Sequence, residues 1–273
     1  MKKMKCLLVT ALLCSCTLYA QQPADTAALI REFSKVMAFT AEPYLYYTTT
    51  TRMSAEPVIE AIDTLVVAGE FYKHNTEIYS SNSRHEMYLQ DSLMIEINNQ
   101  SKTIWVRRVD VTTKDNLNVL PLNTKNMIDN FEKNYIISKS RITRELCRLN
   151  FEWRKPEHST SATTTFISIE YSEKTWLPSF IEIEIQLKQP ADEEMIAAIK
   201  AEGIDESKLI KTINGVKQVL RKQAIRIDFT SISNNMEKTL QIPAYKDNLE
   251  FNAERMEFTG KGKYKDYEIT KTF

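Results

Sequence analysis

The strongest constraint on the fold is an alternation of apolar and polar side chains in residues 181–187. Every second position is apolar and the positions between are polar: Ile181, Ile183, Ile185 and Leu187 alternate with Glu182, Glu184 and Gln186. Successive side chains of a strand point to opposite faces of a sheet. The segment therefore predicts a strand with one dry and one wet face, which is typical of an antiparallel sheet.

Further strand-favouring stretches follow one another at short spacing. We predict strands at 44–51, 64–74, 84–89, 149–153, 164–171 and 224–229, with shorter ones near 249–251, 256–258 and 264–270. Residues 93–97 alternate in the same way, and the polar residues 98–101 connect them to 103–106, which predicts a hairpin. Many antiparallel strands of this kind favour one strongly curved sheet or barrel. The predicted class is mainly β with α, a half-barrel covered by helices.

Helical periodicity appears in a few places. Residues 25–39 predict a helix that Asp25 caps. Residues 123–135 have a weaker helical pattern and offer a second cover for the sheet. Residues 191–201 and 206–213 read as two short helices split by Gly203, and Asn214-Gly215 is predicted to end the second of them. Because strands flank this pair, we interpret 191–213 as a helical insertion at the tip of a hairpin.

The N-terminus has the three parts of a secretory signal peptide, namely the basic residues Lys2, Lys3 and Lys5, an apolar run at 7–13 and a small residue at Ala20. The run is too short for a bilayer span, which needs about 20 apolar residues. We expect cleavage after Ala20 and a periplasmic mature domain, residues 21–273. The alternative is acylation of Cys16 in a lipoprotein-like Leu-Cys-Ser-Cys segment, which would anchor the protein peripherally on a membrane.

Composition limits the possible chemistry. Three of the four cysteines lie in the signal, so Cys147 is alone in the mature chain and is interpreted as a small buried hydrophobe. Removing the signal's three lysines leaves 33 basic against 36 acidic residues, a net charge of −3 that does not suggest a nucleic-acid partner. No phosphate loop, dinucleotide motif or nucleophile elbow is present. We expect neither catalysis nor a cofactor.

A metal site is not expected either, because the histidines are scattered. With a turn at 80–83, His74 would lie opposite residues 89–90 and His85 opposite 78–79, far apart along the ladder. His158 falls in a separate loop. The remaining signal is apolar and aromatic. The candidate ligand-binding residues, expected on the concave face of the sheet, are Phe71, Leu93, Ile95, Trp105, Phe151, Trp153, Ile183 and Ile185.

Three stretches resemble the outer-membrane lipoprotein carrier family, the LolA-like half-barrels. Residues 69–71 (Gly-Glu-Phe) open a hairpin with Tyr79 and Tyr88 further on. Residues 102–105 (Lys-Thr-Ile-Trp) follow a polar turn, and residues 177–182 (Leu-Pro-Ser-Phe-Ile-Glu) resemble the next family strand. The chain departs from the family at 73–76, where Lys-His-Asn-Thr replaces Arg-Pro-Gly, at Ser101, where a glycine is usual, and in the length of its insertion.

The resemblance implies a curved antiparallel sheet, helices over its concave face and a lipid-sized cavity between them. The first hypothesis is accordingly a periplasmic carrier for a lipid or acylated ligand. The alternative is a structural or assembly protein of the cell envelope, which would have a filled core and would bind an envelope protein partner. An apolar cavity favours the first hypothesis, whereas a packed interior favours the second.

Overall fold

The computed structural model describes residues 25–56, 58, 64–109, 131–154, 162–201, 203–213, 215–252 and 257–272. The signal segment, Cys16, His158 and most of the helix predicted at 123–135 lie outside these residues. Residues 131–134, at the end of that prediction, are helical. The described α-helices are α1 (Thr26–Met37), α2 (Glu193–Ala201), α3 (Glu206–Leu209) and α4 (Met236–Thr239), and short 3-10 turns span Ala38–Ala41, Tyr245–Asp247 and Gly262–Tyr264.

Helix α1 confirms the prediction for the N-terminal helix. Asp25 caps it, and its carboxylate accepts a hydrogen bond of 3.0 Å from the backbone N–H of Ala27. Such a cap satisfies one of the N–H groups that a helix start leaves without a partner. The apolar face of the helix is buried, and consists of Leu29, Phe33, Val36 and Met37.

The rest of the described chain is mainly strand. The strands are β1 (Tyr44–Glu56), β2 (Val66–His74), β3 (Glu77–Asn82), β4 (His85–Gln90), β5 (Leu93–Asn98), β6 (Thr103–Arg108), β7 (Tyr135–Arg141), β8 (Leu146–Trp153), β9 (Ala162–Ser172), β10 (Pro178–Pro190), β11 (Ile210–Ile213), β12 (Val216–Ser233), β13 (Leu249–Asn252), β14 (Glu257–Gly260) and β15 (Glu268–Thr272). This confirms the mainly β class and the hairpin formed by β5 and β6.

Thirteen of these strands form one open sheet in the order β15-β6-β5-β4-β3-β2-β1-β12-β10-β9-β8-β7, with β11 paired to β12. The pairs among the described strands are antiparallel except β6 with β15, which is parallel. β13 and β14 form a separate hairpin. The sheet does not close, since β15 and β7 are the two ends of its order.

The predicted pairing of the histidines was wrong, because the sequence carries one more hairpin than the pattern indicated. The chain turns at residues 75–76, where Asn75 has a φ of 55°, a conformation that asparagine tolerates better than most residues. His74 therefore pairs with Glu77, and His85 pairs with Asn98. The extra strand is β3, whose central residue Tyr79 pairs with Tyr88.

The insertion between β10 and β12 is at the tip of a hairpin, as predicted, since those two strands pair along their length. Its second half differs from the prediction. The helix α3 has only four residues, and residues 210–213 form β11 instead of continuing it. Strands β11 and β12 pair as a hairpin, and Gly215 precedes β12 with a φ of 79°, so this glycine does not end a helix. Asn214 lies outside the described residues.

The two faces of the sheet carry different apolar clusters. On one face, which we call the α1 face, the buried side of α1 shares a cluster with residues of β1, β2, β8, β9, β10 and β12. On the other face, residues of β3–β6 pack against the segment 236–272, which contributes Tyr245, Leu249, Phe258 and Tyr264. We call this second face the C-terminal face.

Candidate ligand-binding site

An aromatic cluster lies where α1 packs against the sheet. Phe33 of α1 is fully buried, and its ring centroid is 5.0 Å from that of Phe131 and 5.3 Å from that of Phe151. The rings of Phe131 and Phe151 are 4.4 Å apart, and those of Tyr135 and Trp153 are 5.1 Å apart. Each such pair contributes about 0.5–1.5 kcal/mol beyond its buried area. Aromatic side chains therefore fill the described contact beneath α1.

A groove of about 470 Å³ opens beside Trp153. Phe166 and Glu184 of its lining pair with each other and alternate with residues of the α1-face cluster, so this part of the groove lies on the face of the sheet opposite α1. The half-buried apolar side chains that line it are Trp153, Phe166, Leu209 and Leu220. Leu209 and Leu220 come from α3 and β12, so the insertion forms one wall and the sheet forms the other. At the rim, the ammonium of Lys222 lies 2.7 Å from the carboxylate of Glu184. Ligand sites commonly have volumes of about 300–1,000 Å³ and largely apolar walls.

A polar group joins α1 to the strands beside the cluster. The carboxylate of Glu32 accepts hydrogen bonds from the ammonium of Lys139 and from the hydroxyl of Tyr171. Lys139 also donates to Glu173 at 2.8 Å. Burial lowers the pKa of Lys139, but the hydrogen bonds to Glu173 and Glu32 more than offset this, so its pKa lies above the ordinary value. Lys139 is therefore charged at neutral pH and holds the carboxylate of α1 on the sheet.

The structure brings together five of the eight candidate ligand-binding residues. Phe71, Phe151 and Ile183 are buried in the cluster of the α1 face, and Trp153 and Ile185 pack against it. Trp153 is the one among these that also lines the groove described above.

Two of the other three candidates, Leu93 and Ile95, correct the prediction that all eight share one face, and the third, Trp105, points to the α1 side but is largely exposed. Ile95 is buried in the cluster of the C-terminal face, and Leu93 packs against that cluster. Ile95 pairs with Val106, so the neighbouring Trp105 points to the opposite side, where it pairs with Glu96. Trp105 is 51% exposed. The assumed parity between Trp105 and Ile95 was wrong by one residue, and a shift of one residue moves a side chain to the other face.

Several residues of the site were not among the candidates. Phe33 was part of the predicted helix, and its helical spacing could have marked it as the side chain facing the sheet. Leu209 and Leu220 carried no comparable signal, because the segment containing Leu209 was interpreted as a helix of eight residues. Glu32 contacts Lys139, which lies 107 residues away. No local pattern predicts a pair so distant in sequence.

Three further features describe the chemistry available. Cys147 is fully buried, as expected, and burial raises the pKa of its thiol. Among the described residues, no three His, Cys, Asp or Glu side chains come together as a potential metal site. In the same part of the chain, no helix has the length and apolar character needed to cross a membrane.

No family model and no curated protein matches the chain. Similar solved structures include a DUF1329 family protein from Desulfovibrio piger, 11% identical over 85% of this chain and 99% of that chain, with a TM-score of 0.33. A LolA superfamily protein from Nitrosomonas europaea is 10% identical over 81% and 96%, with a TM-score of 0.27. The Pseudomonas aeruginosa MucA/MucB complex is 10% identical over 78% and 60%, with a TM-score of 0.33. The Nitrosomonas europaea protein is of the LolA superfamily, which the sequence of this chain resembles.

Proposed function

We propose that this protein is a non-catalytic carrier of the cell envelope that binds a lipid or acylated ligand in the groove beside Trp153. The observation that supports this most directly is an open groove of about 470 Å³ whose lining includes four half-buried apolar side chains. Water in contact with such side chains is released when an apolar ligand covers them. Each methylene group that is buried contributes about 0.8 kcal/mol before the costs of association.

The rim of the groove suits the polar end of such a ligand. Lys222 and Glu184 pair at its mouth and remain partly exposed, with 54% and 24% of their side chains accessible. An acyl chain lying along Trp153 and Leu220 would leave its head group near this pair. Binding of this kind needs no covalent step and no cofactor.

We further propose that the sheet bends into a half-barrel with α1 on its concave face and that α1 acts as a lid. The contact between Glu32 and Lys139 would hold the lid closed, and its release would open the aromatic cluster around Phe33 to an acyl chain. The mature carrier would be one domain, residues 21–273, in the periplasm. A membrane-anchored form acylated at Cys16 is the alternative, and the mass of the exported N-terminus separates the two.

The test is isothermal titration of the mature protein with lauric acid below its critical micelle concentration. We expect saturable binding and a rise in the melting temperature with ligand concentration, because a ligand that binds only the folded state stabilises it. Trp153→Ala should weaken binding at least tenfold. Trp105→Ala is the matched control, since Trp105 is a half-exposed tryptophan on a distant strand, and it should bind as the unaltered protein does.

A second function is favoured by a different observation. The edge strand β7 ends the described sheet order, and its Ile136 is 54% exposed. Exposed edges with apolar side chains are able to pair with strands of other chains. Together with the filled contact beneath Phe33, this favours a structural or assembly protein of the envelope. Absence of any saturable response to lauric acid in the folded protein would replace the carrier proposal with this one.

A further inference from the structure

A second groove, of about 600 Å³, lies on the C-terminal face, away from the groove beside Trp153. Its floor is a row of polar side chains that cross-strand pairing places side by side. Thr48 pairs with Glu70, Glu70 with Ser81, and Ser81 with Glu86. Directly opposed residues of neighbouring strands share a face and lie close together. A continuous polar strip therefore crosses β1 to β4.

A β-bulge completes the strip at its β12 end. The pairing of β1 with β12 shifts between Thr48 and Thr49, which are opposite Ser231 and Phe229, so Thr230 is the extra residue. The hydroxyl of Thr230 reaches Thr48 Oγ1 at 2.7 Å, and both side chains line the groove. Bulges redirect side chains and are frequent beside binding sites. The bulge thus adds the hydroxyl of Thr230 beside that of Ser231, which is paired with Thr48 and lies 3.4 Å from its hydroxyl.

The two carboxylates of the floor differ in what they already bind. Glu86 is 6% exposed and accepts hydrogen bonds from Lys263 at 2.8 Å, Tyr264 at 2.7 Å and Asn99 at 3.2 Å. Glu70 accepts from the hydroxyls of Ser81 at 3.2 Å and Tyr72 at 3.4 Å and is more open. Among the described residues, Glu70 takes part in no ion pair. A carboxylate has about four acceptor sites, so Glu70 retains acceptor capacity for a ligand.

A row of tyrosines borders the strip. The ring centroids of Tyr46 and Tyr72 are 4.8 Å apart, those of Tyr72 and Tyr79 are 6.0 Å apart, and those of Tyr79 and Tyr88 are 4.8 Å apart. Burial and the neighbouring Glu70 raise the pKa of Tyr72 to about 12, so its hydroxyl is a neutral donor at pH 7. The strip is thus rich in hydroxyl groups, and the packed row of tyrosine rings borders it along one side.

We propose that this groove binds a neutral saccharide. Its side chains offer both donors and acceptors in a row, namely the hydroxyls of Thr48, Thr50, Ser81 and Thr230, the carboxylate of Glu70 and the ammonium of Lys263. Adjacent hydroxyls of a sugar both donate and accept, so they match such a row. The volume is within the range of about 300–1,000 Å³ that small ligands occupy.

Other ligand classes fit less well. A phosphate or other anion would face two carboxylates against the single ammonium of Lys263, which Glu86 already binds. An acyl chain would cover hydroxyls and leave them without hydrogen bonds, and each buried polar group left unpaired costs about 1–3 kcal/mol. A polyamine is the remaining rival, because Glu70 has no cationic partner among the described residues.

The experiment is isothermal titration of the mature protein with maltotriose, cellotriose and triacetylchitotriose, and with spermidine as the competing class. We expect saturable binding of at least one trisaccharide. Glu70→Gln keeps the shape but removes the charged acceptor, and it should weaken binding about tenfold, because hydrogen bonds to a charged group are roughly twice as strong as neutral ones. Thr50→Tyr should abolish binding by filling the groove.

Two controls make the result specific. Glu96→Gln removes a carboxylate of a neighbouring strand that points to the α1 face, and it should leave saccharide binding unchanged. The Glu70 and Thr50 variants should still bind lauric acid, so failure here is distinguishable from failure of the carrier proposal. Absence of trisaccharide binding, equal binding by the Thr50 variant, or binding of spermidine alone in a Glu70-dependent way would overturn the saccharide proposal.

Discussion

Helix α1 and the segment 236–272 pack against opposite faces of the same sheet, yet they are held in different ways. α1 is a single helix of 12 residues, and its described polar contacts with the strands centre on Glu32. Lys35 of α1 adds a cation–π contact, its ammonium lying 4.9 Å from the ring of Trp176. Apolar burial therefore provides most of its attachment.

The segment 236–272 has polar contacts distributed along its length. The amide of Gln90 donates to the carbonyl of Pro243 at 2.9 Å and accepts from the backbone N–H of Tyr245 at 3.0 Å. Asn248 donates to the hydroxyl of Tyr88 at 2.9 Å. The segment ends in β15, which pairs with β6 within the sheet.

The difference indicates which cover is able to leave without unfolding the rest. The free energy of a local opening depends on the contacts that the opening breaks. Removing α1 would break no strand pairing, whereas removing the C-terminal segment would break the β6–β15 ladder and the contacts of Gln90. We therefore expect α1 to be the movable cover and the C-terminal segment to be a permanent part of the sheet.

The largest expected effect tests whether α1 is docked at all. Phe33→Ala removes a fully buried ring that contacts Phe131 and Phe151, and it should lower the free energy of unfolding by about 3–5 kcal/mol. Urea denaturation followed by circular dichroism measures this. Phe251→Ala is the control. Phe251 is 43% exposed on β13, so its removal should lower the free energy of unfolding much less. Equal losses in the two variants would mean that α1 does not pack in solution as it does here.

A smaller effect, with a distinct pH dependence, is expected on the C-terminal side. Burial would raise the pKa of Glu86, but hydrogen bonds from Lys263, Tyr264 and Asn99 outweigh it and hold the pKa below its ordinary value of 4.5. A carboxylate with a lowered pKa stabilises the folded state above its unfolded pKa, and that contribution is lost as the pH falls through the folded pKa. Glu86→Gln should therefore cost about 1–3 kcal/mol at pH 7.

The free energy of unfolding of the Glu86→Gln variant should differ less from that of the unaltered protein at pH 3 than at pH 7. Urea unfolding at pH 7 and pH 3 measures both differences. Glu96→Gln is the control, since Glu96 and Arg107 form a half-exposed pair at 3.2 Å, and surface pairs of this kind contribute about 0–1 kcal/mol. A loss for Glu86→Gln that is the same at both pH values would show that its charge has no role in holding the C-terminal segment.

The same comparison explains which parts of the fold the sequence predicted. Helix α1, the β5–β6 hairpin and the alternating strand β10 are encoded locally, by a cap, a polar turn and a two-residue period. The extra turn at Asn75 contains no glycine, so the sequence pattern did not mark it. Because this turn was missed, the predicted register of β2, β3 and β4 was wrong. Asn214-Gly215 supports both a helix end and a hairpin turn, and the pairing of β11 with β12 decides between them.

The candidate site was predicted in part for a similar reason. Phe71, Phe151 and Ile183 lie on strands whose inward face follows from their own alternation. For Trp105, the strand alternation was recognised but its phase relative to Ile95 depends on the length of the turn between them. The roles of Glu32 and Glu86 were not predictable, because their partners lie 107 and 177 residues away. Contacts of that separation arise from the topology and not from any local pattern.

The smallest expected effect separates the two covers most sharply. Glu32→Gln keeps the size of the side chain but removes the charge that faces Lys139, and it should cost about 1 kcal/mol as a partly exposed, charge-assisted contact. If α1 opens on its own, the variant lowers the free energy of that local opening by this amount. Hydrogen exchange at the buried positions Phe33 and Val36 should then become about fivefold faster. Amides of β15 should exchange at their original rate, and Glu86→Gln should give the opposite distribution. Uniform acceleration of exchange in α1 and β15 by either variant would mean that the two covers open together, and α1 would then have no independent motion with which to admit a ligand.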